Sequence, residues 1–531
     1  MKYDKMIERF GVIFMIKRFS VIYIGSSRCE LIVGQRGKGC INILDRAMYP
    51  ISFGSQSFTK GEISFKSAYA LCQTIKEYIE MSNAYAVESI KIFGTTALRE
   101  AKNRLYILEQ IKINTGGYEV EILEKEEEIH LIYRHMVLKC DSAFNITGDE
   151  TEDQMFAAIS SGNVSVALLK NGVINYHQTA ELGYLKTKEI LKSIEENSER
   201  FETLLMEFIS TYTQDIVENI QKRNVKRLFV SSHEVDVIAQ LCGFTEHQEY
   251  YIVNAKEFKK LWKTTADLTA NQLMKQNPFL DQNEAETLNH TLALYLKLLA
   301  ETGVETVVLV PMMIGDAYLD FEFQVTKKQQ LFEWIEEGSY SSAKAIGQKY
   351  HTNQKHAEFV EKMSLKIFDS LKKYHQLGKR ERQLLSMLCY LLEVGSFIDH
   401  KNYQVQSRHI IETTDLIGVT QKEKALLGKV AEAVKTSFLS IEEENMYSKD
   451  KEEQLVLAKL AAILKLAIAL DISSQQKIQK LQCHIKEEKL IVEVTTGKNF
   501  QLEEYFFKAS RNTMEEVYGI KPILKIKRIE S

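Results

Sequence analysis

The sequence predicts an α/β protein of two similar halves, followed by an all-α unit and a small mixed tail. Three observations carry this. Strand and helix signals alternate twice before residue 327. The strand signal vanishes from Gln329 onward, and short strands return after Ile478.

In the first half, Phe19 to Gly25 and Cys29 to Gly34 are alternating, β-branched runs around a tight turn at Gly25-Ser26-Ser27, with a third strand near Ile41 to Leu44. Ser67 to Met81 has helical spacing, with Tyr69, Leu71, Cys72, Ile75, Tyr78 and Ile79 expected on one side. A strand at Ile90 to Phe93, a helix start over Thr95 to Asn103 and a strand at Tyr118 to Leu123 complete the half. The theme repeats with strands at Gln154 to Ile159, Val164 to Lys170 and Val173 to His177. Helices from about Lys186 to Lys222 and strands at Arg227 to Ser231 and Glu305 to Val310 follow.

Beyond Gln329, helical periods run through Ala343 to Tyr350, Ala357 to Tyr374, Arg380 to Val394, Ser407 to Thr413, Gln421 to Ser437 and Glu452 to Asp471. The tail reads as β-β-α-β. Expected boundaries are residues 16–140, 141–327, 328–475 and 476–531. Met15 is a candidate start, because the first strand begins just after it.

With 531 residues, 45% apolar and 26% charged, the chain has the composition of an ordinary globular protein with several cores. A formal charge of −4 gives no electrostatic reason for specific nucleic-acid binding. Seven cysteines without paired spacing suit a reduced cytoplasm. The apolar run Leu455 to Leu470 is broken by Lys459 and Lys465, so a buried helix is expected and no membrane span.

The chemistry concentrates between Glu88 and Met136. Gly94-Thr-Thr-Ala-Leu-Arg-Glu-Ala-Lys-Asn103 follows a strand and opens a helix. Small and hydroxyl residues there let backbone approach a ligand, and a helix start with the Arg99 guanidinium suits phosphate oxygens. Arg99 has a plainer use, an ion pair with Glu100 or Glu124, and Asn103 one as a cap. Glu126-Glu-Glu-Ile-His-Leu-Ile-Tyr133 places three carboxylates at another helix start. They complement the helix dipole there, and one of them could polarise a water.

These two segments, in this order, resemble the exopolyphosphatase and guanosine-pentaphosphate phosphohydrolase family (Ppx/GppA), a branch of the actin-like ATPase superfamily. The resemblance implies two actin-like (ribonuclease H-like) α/β halves around a cleft, an HD-like helical domain and a β-β-α-β cap. It implies Glu128 as the catalytic carboxylate. It implies phosphate contacts from Gly25, Ser26, Ser27, Arg28, Thr95, Thr96, Arg99, Ser161, Gly162, Asn163 and Lys186, with Mg²⁺ if the chain is active. The implied partners are polyphosphate or guanosine pentaphosphate or tetraphosphate, and a second copy in a homodimer.

Several family motifs are altered. Asp-hydrophobic-Gly-Ser-Asn-Ser reads Tyr23-Ile-Gly-Ser-Ser-Arg28, and Asp-Ile-Gly-Gly-Gly-Ser-Thr-Glu reads Ala158-Ile-Ser-Ser-Gly-Asn-Val-Ser165. Gly-Gly-Thr becomes Ser232-His-Glu234, and Lys186 stands for an arginine. Both metal-binding aspartates are thus replaced, and phenol is a poor Mg²⁺ ligand. Asp153 or Glu152 is a candidate substitute. In the helical domain the expected His-Asp pair is Leu392-Glu393, a His cluster is Tyr403-Gln-Val-Gln406 and the last aspartate is Ile468. His400 and His409 are expected at the surface. Basic clusters around Lys222-Arg223, Lys226-Arg227, Lys372-Lys373 and Lys379-Arg380…Arg382 line a polyanion path or are solvated faces.

Three functions remain open on these residues. One is a hydrolase of terminal phosphates with Glu128 activating water. Another is a non-catalytic paralogue that senses polyphosphate or an alarmone nucleotide through Arg28, Arg99 and Lys186. The third is a structural or dimerisation protein.

Overall fold

The computed structural model of the chain describes residues 17–37, 41–146, 148, 152–171, 173–195, 201–312, 314–322, 329–434 and 451–529. Met15, Cys40 and the boundary at residue 328 lie outside them. The described residues up to Glu333, apart from 173–176, form one compact unit, and those from Trp334 onward belong to a second.

Two sheets built on one plan organise the first unit. The first has the order β3-β2-β1-β4-β5, from β1 (Arg18–Ile24), β2 (Arg28–Arg36), β3 (Ile41–Pro50), β4 (Ser89–Gly94) and β5 (Val120–Ile122). β1 to β3 are an antiparallel meander, and β4 and β5 add in parallel beside β1. The second sheet has the order β10-β11-β9-β6-β7-β8. Its strands are β6 (Asp153–Ile159), β7 (Val164–Lys170), β8 (Val173–Ala180), β9 (Val225–Ser232), β10 (Tyr251–Asn254) and β11 (Thr306–Pro311). Here β6 takes the place of β1, antiparallel to β7 and parallel to β9. This duplicated order, with helices packed on the sheets, is the actin-like fold of two α/β halves.

Burial explains which runs became which strands. β6 is buried at every position and β1 at all but its first, because each is central in its sheet. β3 is an edge strand and runs to Pro50, well past Leu44, with Ile43, Leu44, Met48 and Tyr49 exposed. Its middle is polar because Arg46 pairs with Glu30 and Asp316, which hid the strand from an apolar pattern. β10 escaped the sequence reading as well, since four residues are too few to show a period.

The Phe65–Ala84 helix starts at Ser64, whose side chain accepts from the Ser67 amide. It buries Leu71, Cys72, Ile75, Tyr78 and Ile79 as expected. Tyr69 is instead 70% exposed, because Ala68 holds that place on the inner face.

In the second unit, helices at Gln354–Ser370, Lys379–Leu391, Gln421–Ala433 and Lys451–Ala469 surround a core that includes Ile367, Leu388, Leu427 and Leu464. The same core takes in Leu490, Val492, Phe507 and Met514 from the tail. The tail's sheet has the order β12-β13-β14, from β12 (Lys480–Lys486), β13 (Lys489–Thr496) and β14 (Lys521–Arg528), with the Gln501–Tyr518 helix between the last two. The Lys451–Ala469 helix is largely buried, and Lys459 Nζ donates to the His375 carbonyl at 2.9 Å. Among the described residues no helix is long and apolar enough to cross a membrane. The six described cysteines are all free.

Candidate functional site

The duplicated sheets set two loops at equivalent places, just beyond the carboxyl ends of β1 and β6. Such ends are where open α/β sheets bind ligands. In the first loop the Gly25 N–H donates to the Arg28 carbonyl at 2.9 Å, so this amide closes the turn. The Ser27 carbonyl accepts from Ile51 N. The second loop closes with Ser160 N to Asn163 O at 2.9 Å. Packing between the halves is tight. A Cβ on Gly162 would sit 2.6 Å from Thr96 Cγ2, and one on Gly183 2.3 Å from both Gly162 N and Ser160 O. Glycine is required at both by space alone.

Direct contacts join the two loops. Ser26 Oγ lies 2.6 Å from Ser161 Oγ, and both residues are buried. Lys186 donates its backbone N–H to Ser161 O at 3.0 Å, while its ammonium lies 3.6 Å from Glu100 and over the Phe58 ring. Thr95 is buried, with its hydroxyl 3.5 Å from that of Tyr23.

The three consecutive glutamates of the Lys125–Phe144 helix differ in what they touch. Glu127 accepts from the Glu124 amide at 2.8 Å in a capping box, which is the helix-start role. Glu126 is buried. Glu128, also buried, accepts from Thr96 Oγ1 and from Arg99 Nη1, each at 3.2 Å. Arg99 completes the triangle by donating Nη2 to Thr96 Oγ1 at 3.1 Å and Nη1 to the Leu123 carbonyl at 2.6 Å. Its partner is therefore Glu128, and neither Glu100 nor Glu124. Asn103 does not cap its helix; it bonds both backbone groups of Ile63.

Tyr23 stands near the carboxyl end of β1. It is buried, and burial together with the Glu128 charge raises its pKa, so the phenol stays neutral. Its ring lies 5.2 Å from Phe93, which stacks on Tyr318 at 4.3 Å. Arg28 turns to the opposite half, where Nη2 donates to His233 Nδ1 at 2.7 Å; its Nε is buried without a partner. Burial and the Arg28 charge hold His233 well below the usual histidine range, so the ring is neutral and Nδ1 accepts. The neighbouring Glu234 is buried, and burial pushes its pKa up to about 7. His233 and Glu234 were visible in the sequence only as replacements. Nothing there showed that the loop after β9 would reach Arg28.

Around Glu128 is a cavity of about 10 Å³, lined by Lys125, Ile129, Ile132, Ala158, Ser160, Asn163 and Ser165. That is near the lower bound for one water. Ala158 at the end of β6 and Ser165, its partner on β7, therefore line the same cavity as Glu128. This donor set does not fit Mg²⁺: its single carboxylate is paired with Arg99, and the other oxygens come from hydroxyls and one amide. Asp153 and Glu152 cannot substitute. They stand at the opposite end of β6, roughly 20 Å away by strand rise, and pair with Arg223 and Lys226.

In the helical unit, Leu392, Glu393, Tyr403, Gln404 and Ile468 line one enclosed cavity of about 30 Å³. His356 lines it too, with Nδ1 at 2.8 Å from the fully buried Asp471. His400 and His409 are exposed, as expected. Much of the basic character is matched locally: Arg380 grips Glu423 with two nitrogens, and Arg382 does the same to Asp369.

Residues 32–289 match the family model described as Ppx/GppA phosphatase family, and residues 340–510 match Ppx/GppA phosphatase, domain III. A guanosine-5'-triphosphate,3'-diphosphate pyrophosphatase of Aliivibrio fischeri is 20% identical over 473 residues, covering 86% of this chain and 87% of that one. The protein of the same name from Photobacterium profundum is 19% identical, covering 84% and 86%. Among solved structures, the Aquifex aeolicus Ppx/GppA family member aligns with TM-score 0.47 and 17% identity, covering 58% of this chain and 98% of that one. An exopolyphosphatase from Cytophaga hutchinsonii aligns with TM-score 0.49 and 17% identity, covering 59% and 99%.

Proposed function

Because the chain belongs to the Ppx/GppA phosphatase family, we propose that it binds inorganic polyphosphate, guanosine pentaphosphate or guanosine tetraphosphate between its two α/β halves and reports occupancy, with little or no metal-assisted hydrolysis. The supporting observation is the lining of the Glu128 cavity, where Ala158 and Ser165 leave one carboxylate, already paired with Arg99. Phosphoryl transfer to water without a held cation lacks a main source of charge stabilisation. Arg28, Arg99 and Lys186 supply the positive charge for a polyanion, and the Ser26 and Ser161 hydroxyls supply donors. The names of the Aliivibrio and Photobacterium relatives favour a guanosine nucleotide within this class. A homodimer and a cytoplasmic location go with this reading, on the family resemblance and the free cysteines.

A second reading, hydrolysis of terminal phosphates, is favoured by Glu128 itself, a buried carboxylate lining a cavity that a reacting water could enter. Phosphate release from long-chain polyphosphate and from guanosine pentaphosphate, with Mg²⁺ or Mn²⁺ and beside Glu128→Gln, separates the two. Tight binding with no release supports the sensor. Release abolished by Glu128→Gln refutes it.

A further inference from the structure

The Arg99–Glu128 contact decides what must happen before an anion can bind. Arg99 and Thr96 together make an oxyanion pocket: Nη1 of one and Oγ1 of the other each donate at 3.2 Å to a single oxygen, Glu128 Oε2. A phosphate oxygen can accept from the same two donors, since guanidinium and hydroxyl groups bond carboxylate and phosphate oxygens alike. The donors are fixed, since Arg99 is held by the Leu123 carbonyl and Thr96 is fully buried at the start of its helix. The acceptor's backbone is fixed too, by the capping box of Glu124 and Glu127 one turn earlier. Only the Glu128 side chain is left to move.

Resting on the sensor reading for the identity of the polyanion, we propose that Glu128 is the resident anion of the Arg99–Thr96 pocket, an internal ligand that an incoming phosphate must displace. A carboxylate held this way sets the affinity of the site. It cancels the Arg99 charge when the site is closed, and a phosphate must compete with it for two hydrogen bonds. Closure is shared with the second loop, because Ser26 and Ser161 bond each other at 2.6 Å, and entry of a phosphate between them breaks that bond as well.

The test is the affinity of the full-length protein for long-chain polyphosphate and for pyrophosphate, without divalent cations, in wild type, Glu128→Gln, Glu128→Asp and the double variant Arg99→Ala/Glu128→Gln. Glutamine keeps the shape and removes the charge, and melting temperatures confirm that each variant is folded. Glu128→Gln is expected to bind about fivefold tighter or better, with Glu128→Asp between it and wild type, and the double variant is expected to lose the gain. Equal or weaker binding by Glu128→Gln, while wild type binds, overturns the inference and leaves the sensor reading standing. Binding by Glu128→Gln alone, lost in the double variant, upholds the inference and refutes wild type as a sensor. Absence of binding in every folded variant overturns both.

Discussion

Ser26 and Ser161, 135 positions apart, hold their hydroxyl oxygens 2.6 Å from each other, joining the two α/β halves at the loops after β1 and β6. Each sits on the loop after the central strand of its own sheet, so the bond follows directly from the duplicated topology. Ser161 is the residue through which the second loop reaches the first.

Replacing Ser161 with alanine leaves the Ser26 hydroxyl buried without this partner. A loss of about 1 kcal/mol in unfolding free energy is expected, with the loops otherwise in place. Urea unfolding of the variant beside wild type measures it, and no loss would mean that the bond contributes nothing to closure.

Gly183 admits no side chain. In Gly183→Ala the new Cβ would lie 2.3 Å from backbone atoms of the 160–162 loop, which cannot rotate aside as a side chain can. Destabilisation of about 2 kcal/mol or more is expected, together with weaker polyphosphate binding as the second loop shifts. A melting temperature equal to wild type would refute this.

Glu234 makes stability depend on pH. Its folded pKa of about 7 lies above the ordinary carboxylate value of 4.5, because burial disfavours the charged form. The folded state therefore holds a proton that the unfolded state releases. The contribution is fully present below pH 4.5 and is lost as pH rises to about 7, by up to about 3 kcal/mol. His135 and His290, buried with pKa values of about 3 and about 4, slope the opposite way below pH 6.5. The difference between wild type and Glu234→Gln isolates the glutamate: the gap between their unfolding free energies should change between pH 5 and 8, with wild type losing more. A constant gap would rule it out.

His356 and Asp471 are a buried pair in the helical unit, and Asp471 also accepts from the Gln476 backbone and side chain. His356→Ala removes one partner from a carboxylate that is fully buried. A loss of about 3 kcal/mol is expected, read by denaturant unfolding, whereas His400→Ala at the exposed position should change little.

How legible this was from residues alone depended on distance along the chain. Most strands of the two meanders are readable because β-branched runs and small-residue turns are local signals, β3 only over its first residues, and Glu128 is set apart from Glu126 and Glu127 by the family resemblance alone. The triangle of Thr96, Arg99 and Glu128 was not readable, since Arg99 could have paired with nearer glutamates. The fold brings the Thr96 and Lys125 helix starts together, and that decided it. The bond from Arg28 to His233 spans 205 positions and joins two loops that the sequence shows only as deviations. Tyr69 was misplaced for a simpler reason: a period predicts a face, and at the edge of that face a one-residue offset exchanges an inner position for an outer one.

Tyr23, Phe93 and Tyr318 form an aromatic column that ties the ends of β1 and β4 to the Ile314–Glu322 helix. Tyr23→Asp would set a second carboxylate near Glu128 against the Phe93 ring, with the Arg28 charge offsetting only part of the repulsion and the burial. Such a variant starts out less stable than its parent. The column therefore ties position 23 to the helix that carries Tyr318, so a charge placed there is felt in the packing of β1, β4 and that helix at once.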